Sequence, residues 1–307
     1  MKKIRTAFSL LKHTAFAFSE DNAFKLSASL SYYTVFALAP LLIIIISLSG
    51  YFLGKDAVEG RIYEQLNGLI GNDAALQIQQ LISNAQHTHA TTLGTVIGLI
   101  ILFIGATGVF TEIQGSINFI WSVRAKPKKG WLKYLANRLI SFSLVVGLGF
   151  VMLVSLIINA VLTLLNKRLV ERFPHYNPDL FNAINSIVIL AVITCLFAVI
   201  YKVLPDAKIA WKDAWIGSLV TAGLFLVGKY LIGLYLGRAN LGITYGTAAS
   251  IIIILTWVYY SSLILYFGAE FTKIYALHSG EGIRPKQTAV FIIKKEAKEI
   301  PASVLDT

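Results

Sequence analysis

Apolar residues in this chain run in long stretches separated by short polar or basic connections. Six stretches, at about 28–53, 93–120, 139–165, 181–201, 214–236 and 246–272, approach the ~20 residues with which an α-helix crosses a bilayer. They predict an all-α polytopic membrane protein of six transmembrane helices. Ahead of them, in segment 1–27, Ile4, Phe8, Leu11, Ala15 and Phe18 recur at helical spacing beside Lys2, Lys3, Arg5 and Lys12. That pattern predicts an amphipathic helix, either lying on the membrane surface or packed on the protein's own loops. Between the first two spans, Val58, Ile62, Leu66 and Leu69, then Leu76, Leu81 and Ile82, predict short amphipathic helices over the outer face. Segment 273–307 is charged and is expected to be a tail, partly helical or disordered.

The second span carries an unusual stripe. Steps of three and four residues join Gly94, Gly98, Ile101, Gly105, Gly108, Glu112 and Gly115, so five glycines and a carboxylate share a seam of the kind on which helices pack closely. An unpaired carboxylate costs ~3 kcal/mol at a helix centre on insertion scales, so Glu112 is expected to face protein or water rather than lipid. In the first span, Pro40 releases the Phe36 carbonyl and bends the helix, with Ser31, Tyr32, Tyr33 and Thr34 supplying polar groups nearby.

Composition agrees with the pattern: 56% of residues are hydrophobic, 14% are charged, and mean hydropathy is +0.69. A net charge of +11 would suit a nucleic-acid partner, but its placement points elsewhere. Of 27 Lys and Arg, 20 fall in the amino-terminal segment, the 121–138 and 202–213 connections and the tail, 6 fall in the other loops, and Lys229 lies inside a span. By the positive-inside bias, both termini belong in the cytoplasm. Aromatics that would stack bases are not gathered in the basic segments, so no nucleic-acid partner is expected. Trp121, Trp131, Trp211 and Trp215 read as interfacial anchors. The single cysteine, Cys195, sits in an apolar run and allows no intrachain disulfide.

Ionisable residues inside the spans carry the functional signal. Glu112 either lines a cavity, exchanging a proton or holding a cationic group, or accepts hydrogen bonds that only fix helix packing. Lys229 lies ~10 Å from the outer end of its span, and either snorkels to the headgroups or attracts an anionic group. Glu270 stands three residues before Lys273, close enough for a local ion pair. Asn118, one turn beyond Gly115, adds an amide to the lining near Glu112. Asp213, ahead of Ala214 and Trp215, is placed as a helix N-cap. No metal, cofactor or catalytic site is expected: His87 and His89 have no third ligand near, the acids are scattered, and no phosphate loop, dinucleotide fingerprint or nucleophile elbow occurs.

Several motifs then stand in one order: Ala28 with Ser31-Tyr32-Tyr33 and Phe36-Ala37-Leu38-Ala39-Pro40; Gly105-Ala106-Thr107 leading to Asn118 and Trp121; Leu204-Pro205; and Tyr245-Gly246 through Trp257, Tyr259 and Gly268-Ala269-Glu270. In these the chain resembles the YihY/virulence factor BrkB family of bacterial inner-membrane proteins, over roughly 28–276. The resemblance implies a six-helix fold in the cytoplasmic membrane. It sets Tyr245 beside Tyr32 among the cavity candidates and strengthens the case for Glu270. Members have also carried the name ribonuclease BN, which these residues do not support, since nothing gathers to hold metal ions and activate water.

Two classes of function remain. One is a transporter or permease handling lipid or another anionic amphiphile, passive, gradient-coupled or driven by a partner. The other is a non-transporting scaffold serving envelope integrity. Membrane lipids are the expected partners, and assembly into a homo-oligomer stays open.

Overall fold

The computed structural model describes residues 2–36, 108–126, 178–238, 249–279 and 282–294, with Leu76, Gln79 and Tyr245. The third expected span lies outside these residues, as do Pro40, Gly94, Gly98, Gly105 and nearly all of the outer-face segment. In chain order, α1 covers Lys2–Glu20, α2 covers 23–36 and α3 covers 108–120, followed by β1 (Val123–Ala125). Then come α4 (Pro178–Val203), β2 (Ala207–Lys208), α5 (Trp211–Arg238), α6 (Ala249–Ser279), β3 (Arg284–Pro285) and β4 (Ala289–Phe291).

Helices α4, α5 and α6 are long and apolar enough to cross a membrane. They are apolar all round rather than along one stripe, which suits helices whose outer faces meet lipid. Hydroxyls inside them donate to the carbonyl four residues back, Thr194 to Leu190 and Ser262 to Val258, so these polar groups are satisfied within their own helix. α5 begins at Trp211, earlier than expected. Asp213 is therefore not the N-cap but a buried first-turn residue, where its charge still complements the positive end of the helix.

α5 packs against both α4 and α6. Its contact with α6 is a reciprocal notch built from two Gly-x-x-x-Thr segments. Thr221 of α5 sits over Gly268 of α6, and Thr272 of α6 sits over Gly217 of α5. Each threonine donates its hydroxyl to the glycine carbonyl of its own helix, Thr221 to Gly217 at 2.7 Å and Thr272 to Gly268 at 2.6 Å. The absence of a Cβ at each glycine admits the opposing side chain. Tyr201, at the end of α4, joins this contact by donating to the Leu265 carbonyl at 2.8 Å.

α1 packs on α6 with one flank. Thr14 and Phe18 are buried, whereas Phe8, Leu11 and Phe16 are exposed. Most of the expected apolar stripe is thus open, as in a helix resting on a membrane surface, while Phe18 inserts beside Phe267. Two corners at this end of the bundle close on left-handed residues. Asn22 (φ 51°) follows α1, and Ser122 (φ 56°) follows α3, donating its N–H to Phe119 O at 3.0 Å.

The first residues of the tail are helical, and the next ones form strands. α6 continues to Ser279, and residues 282–294 are neither helical nor irregular throughout. β3 pairs antiparallel with β2, and β4 pairs antiparallel with β1 in the register Val123↔Phe291 and Ala125↔Ala289. Lys286 N–H donates to Asp206 O at 2.8 Å, and Ile292 N–H to Ser122 O at 2.9 Å. Gly282 at φ 66° and Pro285 keep the helix from continuing, and Val290 with Phe291 supplies strand-favouring residues to β4. The result is a strap that ties the end of α3 to the α4–α5 connection.

Candidate functional site

The strap completes a charge cluster at the end of α6. Glu270 and Lys273, one turn apart, pair at 3.1 Å. Asp21, from the corner between α1 and α2, lies 3.4 Å from Lys273. Lys294, at the end of the strap, donates to Asp21 and to the Ile120 carbonyl, and its ammonium stands 4.5 Å from the Phe119 ring centroid. Both acids are buried, Glu270 completely.

Asp21 and Glu270 share the Lys273 ammonium. Burial pushes the Asp21 carboxyl up, but its charged neighbours, Lys294 and Lys273 among them, outweigh that and hold the group below the usual carboxylate range. Burial is also the main reason the Lys294 ammonium is pushed down.

Beside the cluster, the end of α3 is fastened to the 204–206 turn. Asn118 Nδ2 donates to Asp206 Oδ2 at 2.8 Å, and Asp206 N–H returns to Asn118 Oδ1 at 2.8 Å. Gln114 adds a third bond to the same carboxylate at 3.1 Å, and Trp121 Nε1 donates to Ala269 O at 3.0 Å. Both ends of the Asn118 amide are therefore engaged in bracing, and the Trp121 indole is a buried tie between α3 and α6.

The other candidates lie apart from this base. Glu112 is half-buried on α3, one turn before the buried Ser116. Lys229 is half-buried on α5, next to Gly228, which abuts Tyr260 and Ile264 of α6. At Gly108 an added Cβ would come 3.3 Å from Tyr33 Cδ1 of α2. Gly115 is exposed, with nothing within 4 Å of such a Cβ among the described residues. Tyr32 and Tyr245 are exposed, the Tyr32 ring tilted 52° against Phe36 with centroids 4.8 Å apart.

Sequence reasoning reaches the Glu270–Lys273 pair from spacing, but not Asp21 and Lys294, which stand 273 residues apart. A family model described as Virulence factor BrkB matches residues 15–292. The chain belongs to the BrkB family. The match runs from within α1 to the residue after β4, so corner, strap and charge cluster all fall within it except Lys294 itself. The chain is 28% identical over 280 residues to a UPF0761 membrane protein of Psychromonas ingrahamii, covering 89% of each chain. It is 27% identical over 257 residues to UPF0761 membrane protein RSc1559 of Ralstonia nicotianae, covering 81% of this chain and 55% of the relative. With UPF0761 membrane protein PA0951 of Pseudomonas aeruginosa it shares 27% identity over 262 residues, 83% of this chain and 60% of the relative. The chain thus spans little more than half the length of these last two relatives. No solved structure matches it.

Proposed function

We propose that the protein is a permease-like transporter of the bacterial inner membrane that moves an anionic amphiphile, with no enzymatic step. Both termini and the strapped base lie in the cytoplasm, in keeping with the excess of basic residues there. The observation that carries the reading is Glu112: a carboxylate inside an apolar helix, half-buried and one turn before the buried Ser116. Lys229, half-buried on α5, supplies the opposite charge, suited to a phosphate or carboxylate passing through the bilayer. The base cluster and the Asn118–Asp206 brace hold the cytoplasmic ends of the helices together while these groups act.

A non-transporting scaffold is the second reading, favoured by the same tightly fastened base. Flux of a fluorescent anionic lipid across proteoliposomes separates the two. The parent is expected to raise flux over empty vesicles, with Glu112→Gln and Lys229→Ala each lowering it about tenfold, a barrier change of ~1.4 kcal/mol. Parent vesicles no faster than empty ones would leave the scaffold standing.

A further inference from the structure

Apart from the candidate path, a groove of about 600 Å³ opens between α1 and the end of α6. Its polar wall consists of Thr6, Ser9 and His13 on one flank of α1, with His278 opposite on α6. Its apolar wall consists of Leu10, Ile274 and Leu277. The residues on α1 are spaced one turn apart, so hydroxyls and imidazole form a row along the groove. His13 Nδ1 lies 2.6 Å from the Ser9 carbonyl and donates to it, which fixes the ring and leaves Nε2 as its outward atom.

The helix that forms one wall of the groove is basic in sequence: α1 carries Lys2, Lys3, Arg5 and Lys12, and no acid before Glu20. No carboxylate lines the groove. A phosphate therefore meets hydroxyl and imidazole groups on a basic helix. The apolar wall selects among phosphates. Leu277 is 61% exposed, and Phe8 and Leu11 of α1 are exposed as well, so the groove is flanked by apolar side chains of the kind that enter a leaflet.

We infer that this groove is a binding site for an anionic phospholipid of the cytoplasmic leaflet, its phosphate held by Ser9, His13 and His278 and its first acyl carbons laid on Leu10, Ile274 and Leu277. The site does not rest on transport: a lipid resident here seats α1 against α6 whatever passes through the bundle.

The test uses the full chain in phosphatidylcholine nanodiscs, with ¹³C-labelled histidine side chains assigned through His13→Gln and His278→Gln. Titration with dihexanoyl phosphatidylglycerol is expected to shift both resonances together, and the double variant His13→Gln/His278→Gln to weaken binding about tenfold. Both histidines are exposed, so the variants leave the packed core untouched. Resonances that stay still overturn the inference. An equal shift with dihexanoyl phosphatidylcholine overturns it by showing a merely apolar groove, and an equal shift with glycerol phosphate overturns it by showing a site for free anions.

Discussion

Gly268→Ala is expected to destabilise the protein by about 3 kcal/mol, at the upper end for overpacking a close contact. The new methyl overlaps Thr221 Oγ1 and meets Thr221 Cβ at 2.8 Å. Thr221 has no room to step back, because its hydroxyl is tied to Gly217 O at 2.7 Å and lies 3.1 Å from the Tyr201 hydroxyl. Gly217→Ala meets Thr272 in the same way, with Cβ at 2.8 Å and Cγ2 at 3.0 Å. By contrast, Gly223 and Gly233 have nothing within 4 Å of an added Cβ among the described residues, so alanine there is expected to gain ~0.5–1 kcal/mol of helix propensity. Thermal melting of the purified protein checks the set. A Gly268→Ala/Thr221→Gly exchange is expected to recover part of the loss, whereas a Gly268→Ala variant that melts like its parent would refute the notch.

Asp21→Ala is expected to cost about 3 kcal/mol, the lower end for breaking a buried ion pair, because both lysines keep some contact with water. The substitution takes the carboxylate partner from Lys294 and one of two from Lys273, and Lys294→Met in the same chain should restore part of the loss. Limited trypsin digestion reads the consequence for the strap: cleavage at Lys286 or Lys294 is expected to quicken in Asp21→Ala. The acid limb gives a further check. A carboxyl held below its ordinary value contributes fully above about pH 4 and loses that contribution as the pH falls through its folded value. The parent's melting temperature should therefore drop more steeply in acid than that of Asp21→Asn. Equal slopes would mean that Asp21 carries no such charge in the folded protein.

The membrane helices were legible because a bilayer imposes length and hydropathy on each segment separately, and α4, α5 and α6 each extend a few residues past the stretch their apolar runs define. Glu270 with Lys273 was legible for a similar reason, since both members lie within one helical turn. What escaped depends on distant partners. Lys294 looks like one more basic tail residue until β4 carries it to Asp21. The strap left a signal, the run Ala289 to Ile293 after Pro285, but five residues of strand propensity amid lysines decide nothing until β1 offers a partner. The two Gly-x-x-x-Thr segments were likewise visible, and only the antiparallel packing of α5 on α6 brings each glycine under the other helix's threonine.

The account turns on Glu112 facing a polar interior. A single cysteine placed there tests this most directly, and the chain makes the experiment clean because Cys195 is its sole thiol. In a Cys195→Ala background within native membranes, Glu112→Cys is expected to react with a charged, water-soluble methanethiosulfonate and to be shielded by an anionic amphiphile. A thiol at 112 that ignores the charged reagent yet reacts with a lipid-soluble maleimide would set the side chain among acyl tails and contradict the proposed path.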